Sequence, residues 1–209
     1  MKISYCITVC DESEEIKRLM DHMVSHVDLK KHEIIILCDS GKTNKEVESI
    51  CEEHAKQSNI FFVKDEFQNH FADWKNKFKE FSTGQYIFQI DADELPTEFM
   101  LTNLEFMLIQ NPQIDLFWVP RENYVDGITE EHTIKWNMTV DALGRINFPD
   151  YQARIFKNLP NIKWANRVHE IIVGSSEQAG LPTESRFCLL HIKNIKKQEK
   201  QNNYYETLT

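Results

Sequence analysis

Asp91-Ala92-Asp93-Glu94 sets three carboxylates within four residues, directly after the apolar run QYIFQI and just before Pro96. Crowded carboxylates repel one another unless a cation sits among them, and a hard divalent ion carrying phosphate oxygens relieves that repulsion. The same residues also suit the acidic first turn of a helix, favoured by the helix dipole. Two more acidic turns end apolar runs, Val9-Cys10-Asp11-Glu12 and Cys38-Asp39-Ser40-Gly41. A carboxylate at such a turn accepts hydrogen bonds from a ribose hydroxyl or a base N–H. Glu12 and Ser40 read equally well as helix caps. Neither turn carries a GxGxxG or GxxxxGK[ST] pattern, which argues against a dinucleotide fold and a P-loop.

The elements that must position these turns are legible in the apolar spacing. Strands are predicted over 3–9, 33–38, 60–63 and 85–90, each short and rich in β-branched or aromatic residues. Between them lie helical patterns. One starts near Ser13 and carries Ile16, Leu19, Met20, Met23 and Val27 at helical spacing, and a second covers 42–56. A third covers 71–81, with Phe71, Trp74, Phe78 and Phe81 as a core stripe, and stops at Gly84. A fourth opens at Pro96 and runs to about residue 110. This alternation predicts an α/β fold with a mostly parallel central sheet, and it brings the acidic turns to the carboxyl ends of the strands, where such sheets bind ligands. After residue 110 come strand patterns in IDLFWVP, YQARIF, VHEIIV and FCLLHI, with a polar, irregular stretch over 122–144. The last stretch, from His191, reads as a helix cut off before its apolar face is complete, at a natural boundary or a truncation. One domain over 1–209 is expected, its nucleotide-binding half being 1–110.

The 209 residues carry 24 basic and 33 acidic side chains, a net charge of −9, which excludes bulk binding to nucleic acid. Five cysteines without a CxxC pair suggest neither a disulfide framework nor a zinc ribbon. Reduced thiols predict a cytoplasmic protein, soluble or peripheral to a membrane. No window approaches the roughly 20 apolar residues of a transmembrane helix. Lys193, Lys196, Lys197 and Lys200 read as a solvated helix face, with anionic lipid or a diphosphate as the alternative.

With these residues in order, the chain resembles the family 2 glycosyltransferases of the GT-A fold, a three-layer α/β/α sandwich. The likeness rests on TVCDESEEI, on ILCDSG and on DWKNKFKEFSTGQYIFQIDADE, where Lys75-Asn76 takes the place of an Arg-Asn pair and Asp91 and Asp93 form the DxD. Lys in place of Arg removes a planar fork for phosphate. YQARIFKNLPNIKWANRVHEII places Arg154, Trp164, His169 and Glu170 on a second pattern of the family, and LLHIKN supplies a later strand-terminal His191. The likeness extends over about residues 3–195.

The resemblance implies metal-dependent, inverting transfer of a sugar from a nucleotide-sugar, most often a UDP-sugar, to a hydroxyl of a glycan, lipid-linked or protein acceptor. It implies Mn²⁺ or Mg²⁺ on Asp93, Asp91 and His191, and donor contacts from Val9, Asp11, Glu12, Asp39, Lys75, Asn76, Asp91, Ala92 and Asp93. Acceptor contacts fall to Trp164, Arg154 and His169 in the half 111–209. Trp164 and Trp136 read as sugar-stacking rings or as core. Glu170 is the expected base, with Glu94 and Asp150 as rivals. The alternative function is a non-catalytic nucleotide-sugar-binding or partner-binding module on the same fold. A phosphotransferase of the haloacid dehalogenase kind would carry its DxD after the first strand, whereas here it follows the fourth.

Overall fold

The computed structural model describes residues 1–206, with the side chains of 1–200 and 202. The first half alternates as expected: β1 (Ile3–Val9), α1 (Ser13–His26), β2 (Glu33–Asp39), α2 (Lys45–His54), β3 (Ile60–Asp65), α3 (Phe71–Asn76), α4 (Phe78–Phe81) and β4 (Tyr86–Asp91). There follow β5 (Glu94–Pro96), α5 (Glu98–Gln110), β6 (Leu116–Asp126), α6 (Glu130–Lys135), β7 (Ile146–Lys157), β8 (Lys163–Ala165), β9 (Ile171–Val173), β10 (Gln178–Gly180), β11 (Leu189–Asn194) and α7 (Ile195–Glu206).

Among the described residues, nine strands form one sheet in the order β3-β2-β1-β4-β7-β6-β11-β5, with β10 also paired to β6. β1 and β2 are buried almost throughout, as strands covered on both faces must be, and their runs are therefore continuously apolar. One face packs the α1, α2 and α5 side chains Ile16, Leu19, Met20, Met23, Val47, Met100 and Leu104 on Ile3, Tyr5, Ile7, Ile34 and Ile36. The other packs Trp74 and Phe78 of α3 and α4, with Trp164 and Ile172 of the β8–β9 hairpin, on Cys6, Ile35, Leu37, Ile87 and Phe156. The result is the expected three layers.

The sheet is mostly parallel, as expected, but mixed rather than wholly so. β3, β2, β1 and β4 are parallel, but β7 lies antiparallel to both β4 and β6, and β5 antiparallel to β11. Pro96 closes β5 instead of opening a helix; Thr97 caps α5, its hydroxyl accepting from Met100 N at 3.1 Å. The acidic motif therefore leads into a short strand, and the helix-dipole explanation for it fails. The predicted third helix is two short ones. Phe81 at its end is 41% exposed rather than core, while Trp74 and Phe78 are buried.

The stretch 122–144 is not a loop throughout: β6 continues to Asp126 and α6 follows. Pro120 hid this, since proline is expected only at edges or bulges. It sits where the outer side of β6 changes partner, between β10 on Leu116–Trp118 and β11 on Arg121–Asp126, next to register shifts against β7. VHEIIV is strand only at Ile171–Val173. Asn166 and His169 have left-handed backbones (φ 76° and 52°), which break extended pairing before it.

Gly84 precedes β4 rather than ending a helix. A Cβ there would stand 2.6 Å from Ser4 N and 2.7 Å from Ser4 Oγ, so backbone, not a flexible tip, blocks it. Gly84→Ala is expected to lower the unfolding free energy by about 1–3 kcal/mol in urea titrations, as over-packing against an immovable strand does.

Candidate functional site

A cleft of about 1180 Å³ opens along the carboxyl ends of the parallel strands and over one face of β4, β7, β6 and β11. Its floor follows from strand alternation. Gln89 and Asp91 share a face of β4; Asp150, Gln152 and Arg154 share one of β7; Arg121 and Asn123 one of β6. Register does the rest: Thr8 lies opposite Asp91, Arg121 opposite Asp150, and His191 between Asn123 on β6 and Glu94 on β5.

Arg154 is 3% exposed and knits the floor. Its Nη2 donates to Asp91 Oδ2 at 2.7 Å and to Glu94 Oε1 at 2.5 Å, and its Nη1 donates to Gln89. Asp91 Oδ1 accepts from Thr8 Oγ1 and Gln89 Nε2, each at 2.8 Å. Burial alone would raise the Asp91 pKa, but Arg154 and Lys75 outweigh it and hold the carboxyl well below the usual range. Glu94 is held from both sides: Arg121 Nη1 and Arg154 on Oε1, and the Asp91 N–H on Oε2 at 3.1 Å. Arg121 also clamps Asp150 Oδ2 through Nε at 2.9 Å and Nη2 at 2.7 Å, and holds that acid down against its burial.

Asp93 stands apart from this lattice, on the turn between β4 and β5. Its Oδ2 lies 3.2 Å from His191 Nε2 and 3.5 Å from Lys193 Nζ. Burial opposes ionisation, but the His191 hydrogen bond and the His191 and Lys193 charges prevail, keeping Asp93 far below the ordinary carboxylate range. β5 crosses from β4 to the far edge of the sheet and pairs with β11 there, which is why two residues 98 positions apart meet. Among the described residues no group of three or more His, Cys, Asp or Glu side chains converges on one point. Asp93 and His191 are the donors here that could hold a divalent cation, which would take its other oxygens from phosphates and water.

At the end of the cleft formed by β1 and β2, Asp39 is 6% exposed and its Oδ1 accepts from Gly41 N at 3.0 Å and Phe67 N at 3.2 Å. Glu12 occupies the residue before α1 without capping it; its carboxylate accepts from Cys10 N at 2.8 Å, and burial pushes its pKa up. Val9, Asp11 and Ala92 also line the cleft. Of the four lysines in and after β11, Lys196 and Lys200 are exposed, as a solvated face requires, but the set also reaches the cleft. Lys193, Lys197 and Lys200 line the cleft, Lys197 pairing with Glu15 and Lys200 lying 3.9 Å from Asp11.

At the other end, Arg167 Nε donates to Asn69 O at 2.9 Å, and the Phe71 N–H donates to Arg167 O at 3.0 Å, folding the 166–170 bend onto the start of α3. Glu170 thereby meets Lys75, Nζ to Oε1 2.7 Å, with Lys75 also 3.9 Å from Asp91 and 4.7 Å above the Trp164 ring. Asn76 does not line the cleft and exchanges hydrogen bonds of 2.9 Å with the backbone of Trp164. Trp164 is 5% exposed against Phe156, so it is core with one face under Lys75; Trp136 stacks on His132 outside the cleft. Arg154 and Asn76 are thus engaged within the protein rather than held out toward a ligand. Arg121 and Asn123 were not singled out from the sequence, whereas Lys193 was read as part of a solvated helix face or a diphosphate contact. The period-two polar alternation after Pro120 was the available signal for the first two.

Arg154→Met strands the buried Glu94 and the partly exposed Asp91, and the expected loss is about 3 kcal/mol at pH 7 in urea unfolding, the low end for a broken buried pair. The sign with pH follows from the depressed carboxyls. The unfolded chain binds protons on Asp91, Asp93 and Asp150 below about pH 4 while the folded chain does not. Wild-type stability therefore falls as pH drops through that range, and the deficit of the variant shrinks, because its stranded acids regain neutrality.

Comparison with known proteins follows this geometry. The sequence matches the family described as glycosyl transferase family 2 over residues 4–169. No curated protein sequence matches it. Among solved structures, S. aureus TarS 1–349 in complex with UDP-GlcNAc superposes with a TM-score of 0.65 at 12% identity, covering 92% of this chain and 59% of that one. The mannosyltransferase PcManGT from Pyrobaculum calidifontis, in complex with GDP-Man and Mn²⁺, gives 0.59 at 14% identity, covering 90% and 56%. At these identities the likeness is one of fold, and this chain spans less than two thirds of the length of either protein. The match over 4–169, carried on a GT-A sheet with its acidic turns along one edge, means that the chain belongs to glycosyl transferase family 2.

Proposed function

We propose that the protein transfers a sugar from a nucleotide-sugar donor, a UDP-sugar by preference, to an acceptor hydroxyl with inversion at the anomeric carbon. The observation that carries this reading is one cleft holding the Asp93–His191 pair and, apart from it, the Lys75-anchored Glu170. The complexes of the two similar proteins with UDP-GlcNAc and with GDP-Man and Mn²⁺ support the donor class.

In this reading the nucleoside lies against Val9, Asp11, Glu12 and Asp39. A Mn²⁺ or Mg²⁺ ion on Asp93 and His191 would supply Lewis-acid neutralisation of the departing diphosphate. Lys193, Lys197 and Lys200 add positive charge to the same wall, and the nucleoside diphosphate departs toward it. The acceptor oxygen attacks the anomeric carbon from the opposite face as the bond to the diphosphate breaks, and Glu170 takes the hydroxyl proton. Lys75 positions Glu170. Glu94 and Asp150 serve poorly as bases, since their carboxylates are spent on Arg121, Arg154, Asn123 and Gln152. Asp91 belongs with that scaffold in our assignment, because both of its oxygens already accept from protein donors.

Glu170→Gln is expected to bind UDP within about twofold of wild type by calorimetry while losing roughly 10²–10⁴-fold in transfer, the usual contribution of a general base; retained turnover overturns the assignment. A screen of nucleotide-sugars for transfer or donor hydrolysis, with and without Mn²⁺, tests the reading as a whole, and inactivity with every donor favours a binding module. Asp39→Ala should weaken UDP binding more than inorganic diphosphate binding, whereas equal weakening removes Asp39 from the nucleoside site.

A further inference from the structure

We propose that Asn123 is a positioning residue that fixes the His191 ring in its Nδ1–H tautomer and so turns the Nε2 lone pair toward the cation site beside Asp93. The inference rests on the metal reading above and goes beyond it, from the donors themselves to the group that prepares one of them.

Asn123 and His191 are register partners on the parallel strands β6 and β11, so their side chains leave the sheet side by side. His191 Nδ1 stands 2.7 Å from Asn123 Oδ1. Which end of the amide faces the ring is settled by its other neighbours. Asn123 Nδ2 lies 2.8 Å from Asp150 Oδ2 and 3.4 Å from Ile146 O, both acceptors. Reversing the amide would set its oxygen against a carboxylate and a carbonyl and its NH₂ against the ring, replacing two hydrogen bonds by acceptor-to-acceptor contacts. Asp150 is itself held as an acceptor by two N–H groups of Arg121.

The orientation therefore passes along a chain: Arg121 fixes Asp150, Asp150 fixes the amide of Asn123, and the amide oxygen takes the Nδ1 proton of His191. In the structure Nε2 donates to Asp93 Oδ2 at 3.2 Å; when a cation takes the place of that proton, the ring keeps its proton on Nδ1 and turns the Nε2 lone pair to the cation. An outer hydrogen bond of this kind orients a metal-binding histidine and contributes about 10–100-fold to metal affinity.

Two measurements test the proposal. In ¹⁵N-histidine-labelled wild-type protein with Mg²⁺ and UDP at pH 8, long-range ¹H–¹⁵N spectra should show the His191 ring, identified by its loss in His191→Gln, protonated at Nδ1 and bare at Nε2. A ring protonated at Nε2 overturns the proposal without recourse to any Asn123 variant. In calorimetric titration of Mn²⁺ into UDP-saturated protein, Asn123→Leu should bind about 10–100-fold more weakly than wild type. His191→Ala in the same titration separates the two levels. Unchanged Mn²⁺ affinity in His191→Ala defeats the metal reading itself, whereas weakened binding there with none in Asn123→Leu defeats only the role of Asn123.

Discussion

The guanidinium of Arg154 is the contact on which the cleft depends. Three acids, Asp91, Glu94 and Asp150, sit beneath or beside the cleft floor, and two arginines answer them. Without Arg154, the buried Glu94 and the Asp91 carboxylate at the cleft wall would lose the cation they share, an arrangement that favours protonation of the buried acid. Such a cluster gives little net stability compared with a hydrophobic equivalent. Its value lies in geometry: it ties β4, β5, β6 and β7 together at the point where β4 must release the chain toward the far edge of the sheet.

That release makes the candidate site. Ala92 still donates to Thr8 O at 3.1 Å, so the chain leaves the parallel block only at Asp93. β5 then lies antiparallel on β11, and one cross-strand register places His191 against both Glu94 and Asn123. The charge separation along the cleft follows. Asp11 and Glu15, after β1, meet the α7 lysines Lys200 and Lys197, the arginine lattice occupies the floor, and the Lys75–Glu170 pair closes the other end.

The parallel block was readable from the sequence because β1, β2 and β4 are buried on both faces and their apolar runs admit few other structures. The acidic turns, Asp91-Ala92-Asp93-Glu94 among them, were readable for a related reason: charged residues at strand ends stand out against apolar runs, whereas His169 and Glu170 were singled out only by the family resemblance. The second half was harder. Pro120 and the polar alternation of Arg121 and Asn123 disguised the continuation of β6, since a strand that lines a polar cleft lacks the apolar face by which strands are recognised. Glu170 was read on a strand, yet it sits on a bend made by left-handed Asn166 and His169, a conformation that side-chain pattern does not encode. Arg154 and Asn76 were read as ligand contacts. Residue type indicated polar work at those positions but not whether a protein group already supplied the partner.

The change of partner along the outer side of β6 bears on how such a protein can diversify. β10 and β11 share that side in tandem, and the chain between them, 181–188, is not paired to β6 as strand. Leu181 and Cys188 anchor the ends of this connection in the core, but its middle is exposed, and β11 takes its register from Arg121–Asp126 and from β5 rather than from the chain that leads into it. The cleft thus has a place where new surface can be grafted onto the sheet while the residues behind it keep their spacing.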